Sequence, residues 1–586
     1  NLTLEFRPGL LLSAILERKS LILKNIFNIK TIVLERFNEF LSGKHNLTLH
    51  EDIHNTFTSK DQKEMKNINS NVRIISTGLP NSSTNFSEAA LSRFTIIYTK
   101  SYESIEQKIA LQSYINTNNL IFDELLIPLI LDFAQKMDLN LNKEFTFPQI
   151  INSIEMCSRL NTSMKNPDCK KNLGIILYRL GYGLLEKRKK TFDSFIKIFN
   201  DLGFVLSNNI KPKENFDIND LKSPLVVEKL NGYNGIKSLI TGFFIKSSAA
   251  KYIDEPLAFN PMFSEMLDIL HLGILTNTPV IFEGMPGQGK QTAINYIAEL
   301  LGFQITNIII SRSTKVEDFL GKTIIDHDEK NDIRVKIVET KLVEIIKNHS
   351  MSQKTIIVFH NINHASSAVL EVLVSIFDKH QESLLLQDGS TIPKGKLNLV
   401  GIFNPQNGYY SREKLPSSLI FSSIYHIVNN PKENDIFSVI VKLFEGTKFE
   451  MEIDRFYERF IITKNEAKES NSHPLTLNDI VKYKIFREVT YDQIDENFIS
   501  MMIFAYRFVN ENDISNVREK IGLTKSKFNP IFIYNLEKKK LLIKVSENSE
   551  NCITLKLSST AIDVESILSE IASLTIPQKH CLLFLA

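Results

Sequence analysis

The chain has 586 residues, of which 43% are hydrophobic and 23% charged, enough for about three to four ordinary domains with sizeable cores. It holds no uncharged apolar run long enough to span a bilayer, and its first residues, Asn1-Leu2-Thr3-Leu4-Glu5, lack the charged-then-apolar layout of a signal peptide. A net charge of +2 supplies no strong field for nucleic acid or acidic lipid, so neither partner is expected; an aromatic and basic strand-binding face is also missing.

Several local features are read as bland. The cysteines Cys157, Cys169, Cys552 and Cys581 form no C-x-x-C pair, which argues against a zinc ribbon or disulfide framework and fits a reduced intracellular setting. Lys187-Arg188-Lys189-Lys190 and Lys538-Lys539-Lys540 read as solvated element ends, and the sequons at Asn46 and Asn81 as chance in an Asn-, Ser- and Thr-rich chain. The first residue is Asn rather than Met, from which a piece of a longer polypeptide is expected.

In chain order, Leu21-Ile22-Leu23 is strand-like, residues 121 to 203 are mainly helical, and Pro261 heads a helix ending just before the apolar run 279 to 282. That run breaks into Gly284-Met285-Pro286-Gly287-Gln288-Gly289-Lys290-Gln291-Thr292, followed by the helical pattern Ala293 to Leu301. Strand, glycine-rich turn and helix N-terminus in this order make a P-loop, in which backbone N–H groups cradle phosphates and a lysine reaches the outer ones. The motif calls for Ser or Thr after the lysine, as a Mg²⁺ ligand, and Gln291 stands there. Thr292 does not replace it, because one helical step turns a side chain by about 100°. Further apolar runs at 305 to 310, 355 to 359 and 397 to 403, with a helical pattern at Thr340 to Ile346, predict a doubly wound parallel sheet with its ligand at the strand C-termini. Residues 431 to 525, including Phe498 to Phe508, read as a helical subdomain.

Landmarks repeat along the chain. Val-Leu-Glu recurs at positions 33 and 369. Val72-Arg73-Ile74-Ile75-Ser76-Thr77-Gly78-Leu79-Pro80 answers Leu397 to Pro405, and Phe145-Thr146-Phe147-Pro148-Gln149-Ile150 answers Leu475-Thr476-Leu477-Asn478-Asp479-Ile480. Pro577 echoes Pro261. The chain therefore reads as residues 1–120, the second half of a first core; 121–215, its helical subdomain and linker; 216–430, a complete core with the P-loop; 431–530, its helical subdomain; and 531–586, the start of a third module.

Ile310-Ser311-Arg312-Ser313-Thr314-Lys315-Val316-Glu317-Asp318-Phe319-Leu320-Gly321, Asn361 to Glu371 and Phe403-Asn404-Pro405 resemble the AAA+ modules of the midasin-like, dynein-related ATPase family. So do Val33 to Leu41, Asn46 to Leu49 and Ala90-Leu91-Ser92-Arg93-Phe94 in the earlier module. The resemblance implies α/β P-loop AAA+ modules, each a parallel sheet sandwiched by helices and followed by a helical lid, set side by side in a ring. Midasin uses six modules to remodel pre-ribosomal particles; dynein and mysterin share the plan. It further implies neighbouring modules of the same polypeptide and a macromolecular complex such as the pre-60S particle as partners. The setting would be nuclear for a midasin, cytoplasmic for a mysterin-like or dynein-like protein.

Carried over position by position, the resemblance implies loss. The acidic Walker B pair falls on His360 and Asn361, and on Lys24 and Asn25 in the first module. The sensor-1 amide is Asn404, with Leu79 in the first module. The arginine finger is Arg93, which serves the upstream module, with Ser422 in the second. The sensor-2 arginine falls on Pro148 and Asn478. The expectation is an ATP- or ADP-binding segment with weak or absent Mg²⁺, no protein metal site and little hydrolysis, its loop formed by Gly284, Met285, Pro286, Gly287, Gln288, Gly289, Lys290, Gln291 and Thr292. The alternatives are an active ATPase with Gln291 or water in the metal shell, and a scaffold without nucleotide.

Overall fold

A computed structural model describes residues 14, 19–23, 26, 73–78, 92–100, 102–142, 145–163, 168–185, 189–204, 221–230, 233–253, 256–327, 333–348, 354–386, 390–405, 415–470, 472, 474–490, 496–508, 510–523, 531–535, 540–544 and 552–556. Lys24, Asn25, Val33 to Leu41, Asn46 to Leu49, Leu79 and the helix expected from Pro577 lie outside these residues.

Two short strands come first, β1 (Leu21–Leu23) and β2 (Ile74–Ser76), paired in parallel with Leu21 opposite Ile74. Five helices follow: α1 (Ser104–Thr117), α2 (Ile127–Leu141), α3 (Phe147–Ser163), α4 (Cys169–Gly183) and α5 (Lys189–Asp201). Strands β3 (Leu225–Leu230), β4 (Tyr233–Ser238) and β5 (Phe244–Lys246) form an antiparallel sheet. Helix α6 (Pro261–Thr276) begins where the Asn260 side chain accepts the Phe263 N–H and Pro261 supplies a preset first turn. It ends at Asn277 in the left-handed region, φ 48°, which asparagine tolerates. Then come β6 (Val280–Glu283), α7 (Lys290–Leu301), β7 (Gln304–Ile309), the hairpin β8 (Lys322–His327) and β9 (Ile333–Val338), α8 (Lys341–Lys347), β10 (Thr355–His360) and α9 (Ser367–Phe377). The chain continues with the ribbon β11 (Ser383–Leu385) and β12 (Thr391–Pro393), β13 (Asn398–Phe403), α10 (Ser417–Phe421) and β14 (Ile424–Ile427). After these come α11 (Glu433–Phe444), α12 (Ile453–Glu469), α13 (Leu477–Thr490) and α14 (Glu511–Lys520), and an antiparallel sheet of β15 (Ile531–Asn535), β16 (Lys540–Lys544) and β17 (Cys552–Lys556).

By contact, the chain divides into two compact units. The first takes Asn1–Ala110, Lys315–Lys347 and Glu382–Lys394. It holds the β1 and β2 pair and both short antiparallel ribbons, and within it Thr340 Oγ1 donates to Phe319 O at 2.7 Å.

The second unit takes Leu111–Thr314, Asn348–Gln381 and Gly395–Ala586. Its centre is a five-stranded, wholly parallel sheet in the order β14-β6-β13-β10-β7. The four sheet strands expected from apolar runs are all present, and β14 is an addition. Strand order reverses beside β6, and such a switch point opens a crevice at the strand C-termini. Strands buried on both faces need near-continuous apolar runs, as in Ile356, Ile357, Val358 and Phe359 of β10. Residues 111 to 204 share a single hydrophobic core with this sheet, in which Phe133, Phe195, Phe199, Leu270, Phe282 and Val428 are all buried. Residues 436 to 523 close around a separate core of their own.

Two pairs of the segments compared in the sequence also look alike locally. Before α3, Gln149 Oε1 accepts the Thr146 N–H at 2.9 Å; before α13, Asp479 Oδ2 accepts the Thr476 N–H at 2.8 Å. Each is the back-bond of a capping box. The register of β1 on β2 likewise matches the parallel pairing of β10 on β13.

A buried charge group fastens α4 to α6. Arg179 contacts Asp268 at 2.6 Å and Glu265 at 3.2 Å, and Ser238 Oγ donates to Asp268 Oδ1 at 2.7 Å. Asp268 is fully buried, so removing its partner leaves an uncompensated charge. Arg179→Ala is expected to lower unfolding free energy by about 3–5 kcal/mol, with most of the loss recovered by Arg179→Met combined with Asp268→Leu. Urea unfolding of the variants checks this; a loss under about 1 kcal/mol for the single variant would show the group to be solvated.

Candidate nucleotide site

Strand β6 delivers the chain to the switch point, where Gly284 N–H donates to Phe403 O at 3.1 Å. The loop then turns through Gly287 at φ 77° and Gly289 at φ 79°, conformations that cost little only without a Cβ. Helix α7 starts at Lys290, and its first internal bond runs from Ala293 N–H to Gly289 O at 2.9 Å. The amides of Lys290, Gln291 and Thr292 therefore have no acceptor within the helix, the arrangement that receives an anion. Met285 is half-buried and Pro286 exposed at the loop's outer edge.

Lys290 is only 7% exposed. Its Nζ donates to Gly284 O at 2.6 Å and Met285 O at 2.7 Å, so the ammonium sits within the curl of the loop. Burial pushes its pKa down to about 8, opposed by the Glu283 carboxylate. Glu283 in turn accepts from the Tyr425 hydroxyl, and the carboxylate together with burial drives that phenol far above its ordinary range. Gln288 points away from the ligand side: its Nε2 donates to Asn429 O at 2.9 Å and Asn430 Oδ1 at 3.0 Å. A Cβ on Gly284 would lie 2.3 Å from Gln288 Oε1, which explains the glycine there.

The neighbouring strand ends complete the crevice. β10 ends at His360, whose Nε2 is 3.0 Å from Asn307 Oδ1 and whose pKa is lowered by burial. Asn361 follows in the left-handed region at φ 57°. Asn404 follows β13 half-buried, and its carbonyl accepts from Asn363 Nδ2 at 2.9 Å. The structure thus gathers the loop, His360, Asn361 and Asn404 at one end of adjacent parallel strands. Ser422 lies past α10, with its Oγ donating to Leu419 O at 3.1 Å. Arg93 is a half-buried residue of a turn in the first unit; the P-loop belongs to the second.

A P-loop AAA+ site implies Mg²⁺. Gln291 Nε2 donates to Asn295 Oδ1 at 2.7 Å, and its Oε1 is buried with no hydrogen-bond partner, so one neutral oxygen is available. Thr292 is exposed. The remaining candidates, His360 and Asn361, bring no carboxylate, and a hard cation of this kind is normally held by carboxylates and water. The donor set fits phosphate well and a protein-held Mg²⁺ poorly.

One element of the site escaped the sequence reading, and another was expected only through the sensor-2 position at Asn478. The α13 N-terminus touches the loop: a Cβ at Gly287 would meet Thr476 Cβ at 2.7 Å and Asn478 Cγ at 3.5 Å. The Thr476 to Asp479 capping box signals that helix start, and the repeat had placed Asn478 there. Glu283, beside Lys290, carries no signal beyond a charge at the end of an apolar run.

The comparisons with known proteins agree with this geometry. Residues 279–420 match the model of the AAA domain (dynein-related subfamily). Over 168 residues, 28% of its length, the chain is 30% identical to Midasin of Giardia intestinalis, of which it spans 3%. A crystal structure of a protein from Cytophaga hutchinsonii, provisionally assigned as an ATPase, aligns over 53% of this chain and 93% of its own at 13% identity, with a TM-score of 0.23, too low to indicate a shared fold. On the family match and the parallel sheet with its P-loop, residues 279–420 form an AAA domain of the dynein-related subfamily, and the chain is similar over part of its length to Midasin.

Proposed function

We propose that residues 216–430, with the helical lid 431–530, form an AAA+ module that holds ATP or ADP chiefly as a structural ligand and hydrolyses it little. The observation that carries this is the pairing of an intact phosphate loop, with Lys290 buried at its centre, and a β10 end that offers His360 and Asn361. Loop amides and Lys290 would hold the phosphates, and the Asn404 amide would orient the terminal one. Neither His360, neutral and tied to Asn307, nor Asn361 would polarise water as a carboxylate does.

In this reading the modules divide as 1–120 with lid 121–215, 216–430 with lid 431–530, and a third beginning at 531. The antiparallel sheet β15 to β17 stands in the same order before Pro577 as β3 to β5 stand before Pro261. Arg93 would complete the pocket of the module upstream. Nucleotide at the seam would transmit motion from active modules to a macromolecular complex such as the pre-60S particle. A second reading, an active ATPase, draws on the unpartnered Gln291 Oε1 as a metal ligand.

Calorimetry with ADP and ATP decides among these readings. Binding is expected for the wild type and lost in Lys290→Ala, with chelation of Mg²⁺ weakening it by less than about tenfold, or 1.4 kcal/mol. Phosphate release should stay near background. Steady release abolished by Lys290→Ala would favour the active reading, and equal heats from both proteins would favour a scaffold.

Binding should also take up protons. An empty-site Lys290 with a pKa near 8 is partly neutral at pH 8 to 9, and bound phosphate restores its charge. Affinity should therefore be flat below pH 8 and fall above it. The empty protein moves the other way: burial of the charge costs stability in full below pH 8, and this cost fades as pH rises toward the ordinary lysine value of 10.5. Binding heats in buffers of different ionisation enthalpy measure the uptake; none at pH 8.5 would mean that Lys290 enters the complex already charged.

Arg93→Ala should leave nucleotide affinity at Lys290 unchanged. In the longer parent, with a competent upstream module, it should slow turnover by roughly 10³- to 10⁵-fold. ATPase rates of parent and variant test this, and an unchanged rate would refute the finger role.

A further inference from the structure

We infer that Tyr182, on α4 of the helical subdomain preceding the P-loop core, is a positioning residue for that core's phosphate loop, acting through Asn429 and Gln288. The inference rests on the reading of Gly284 to Thr292 as a phosphate site.

The chain of contact starts from close packing. Helix α4 lies so near β14 that a Cβ on Gly183 would fall 1.9 Å from the Tyr425 carbonyl oxygen. The adjacent Tyr182 is 4% exposed. It stacks on Tyr178 with ring centroids 5.3 Å apart, and its ring lies 6.4 Å from that of His426 on β14. A phenol hydroxyl buried this deeply needs a polar partner. It has one in the Asn429 side chain, to which it is hydrogen-bonded.

Asn429 lies in the link between β14 and the lid helix α11, and this link grips the loop at two places. Val428 N–H donates to Glu283 O at 2.7 Å, and Val428 Cβ would stand 3.0 Å from a Cβ on Gly284. One residue on, the Asn429 carbonyl accepts from Gln288 Nε2 at 2.9 Å. Gln288 is 3% exposed and fills the space behind Gly284, so its amide plane fixes how the loop curls around Lys290. Arg179, one helical turn before Tyr182, grips α6, which feeds the chain into β6. One helix of the preceding subdomain therefore contacts both the helix that feeds the P-loop strand and the link that grips its loop.

Without the Tyr182 hydroxyl, the Asn429 side chain loses its buried partner. The link at 428 to 430 is then freer to shift, and Gln288 loses a fixed acceptor. The consequence is a looser loop, and a ligand that must order it on binding.

The test uses the full chain and Tyr182→Phe, which deletes one oxygen and keeps the stacked ring. Hydrogen exchange of the amides in residues 284 to 291 of the nucleotide-free protein is expected to speed up by about fivefold. ADP affinity should fall by a similar factor while the thermal midpoint barely moves. Gln288→Ala should reproduce both effects, and the double variant should add nothing to either. Unchanged loop exchange in Tyr182→Phe, or fully additive effects in the double variant, would overturn the inference. Faster exchange in a protein that binds no ADP would leave the relay standing and remove the nucleotide reading, so the two fail separately.

Discussion

The approach of α4 to β14, close enough that position 183 has no room for even a methyl group, is the constraint from which much of the second unit follows. It lets the helices between 111 and 204 share one core with the sheet rather than build one of their own. It also brings Arg179 within reach of Asp268 and Glu265. Burying three charged groups there is tolerable only because each finds a partner at hydrogen-bond distance. The P-loop strand is thereby backed by the helices between 111 and 204.

The lid that follows the sheet is attached differently. Residues 436 to 523 close around a separate core, and joins to the sheet domain are polar: Asn260 Nδ2 reaches Asp435 O and Ser438 Oγ, both at 3.4 Å. At the loop itself, Thr476 and Asn478 approach Gly287. A few polar contacts cost far less to rearrange than a continuous apolar core, and one wall of the site shares the core of the sheet while the other has its own.

The legible parts were the local ones. The phosphate loop announces itself because left-handed turns demand glycine and the lysine stands at a helix start, both within one short stretch. The other four sheet strands were visible as apolar runs, and the match of residues 145 to 150 with 475 to 480 suggested a repeat of the helical subdomains. β14 was not visible: Ile424-Tyr425-His426-Ile427 is four residues long and carries a buried histidine that only its neighbours explain. The antiparallel ribbon at 322 to 338 mixes Lys, Asp and Arg with its apolar residues and gives no clean run. Least legible was the support behind the loop. Gln288 and Asn429 are 141 residues apart, and no periodicity joins an amide to a partner at that distance.

Because α4 and the sheet share one core, residues 111 to 204 and the P-loop sheet belong to one compact body. A repeat boundary drawn near residue 216 runs between two polypeptide stretches whose apolar faces cover each other. A fragment starting there would keep every residue of the phosphate loop yet lack residues 111 to 204, with which Leu270, Phe282 and Val428 share one core.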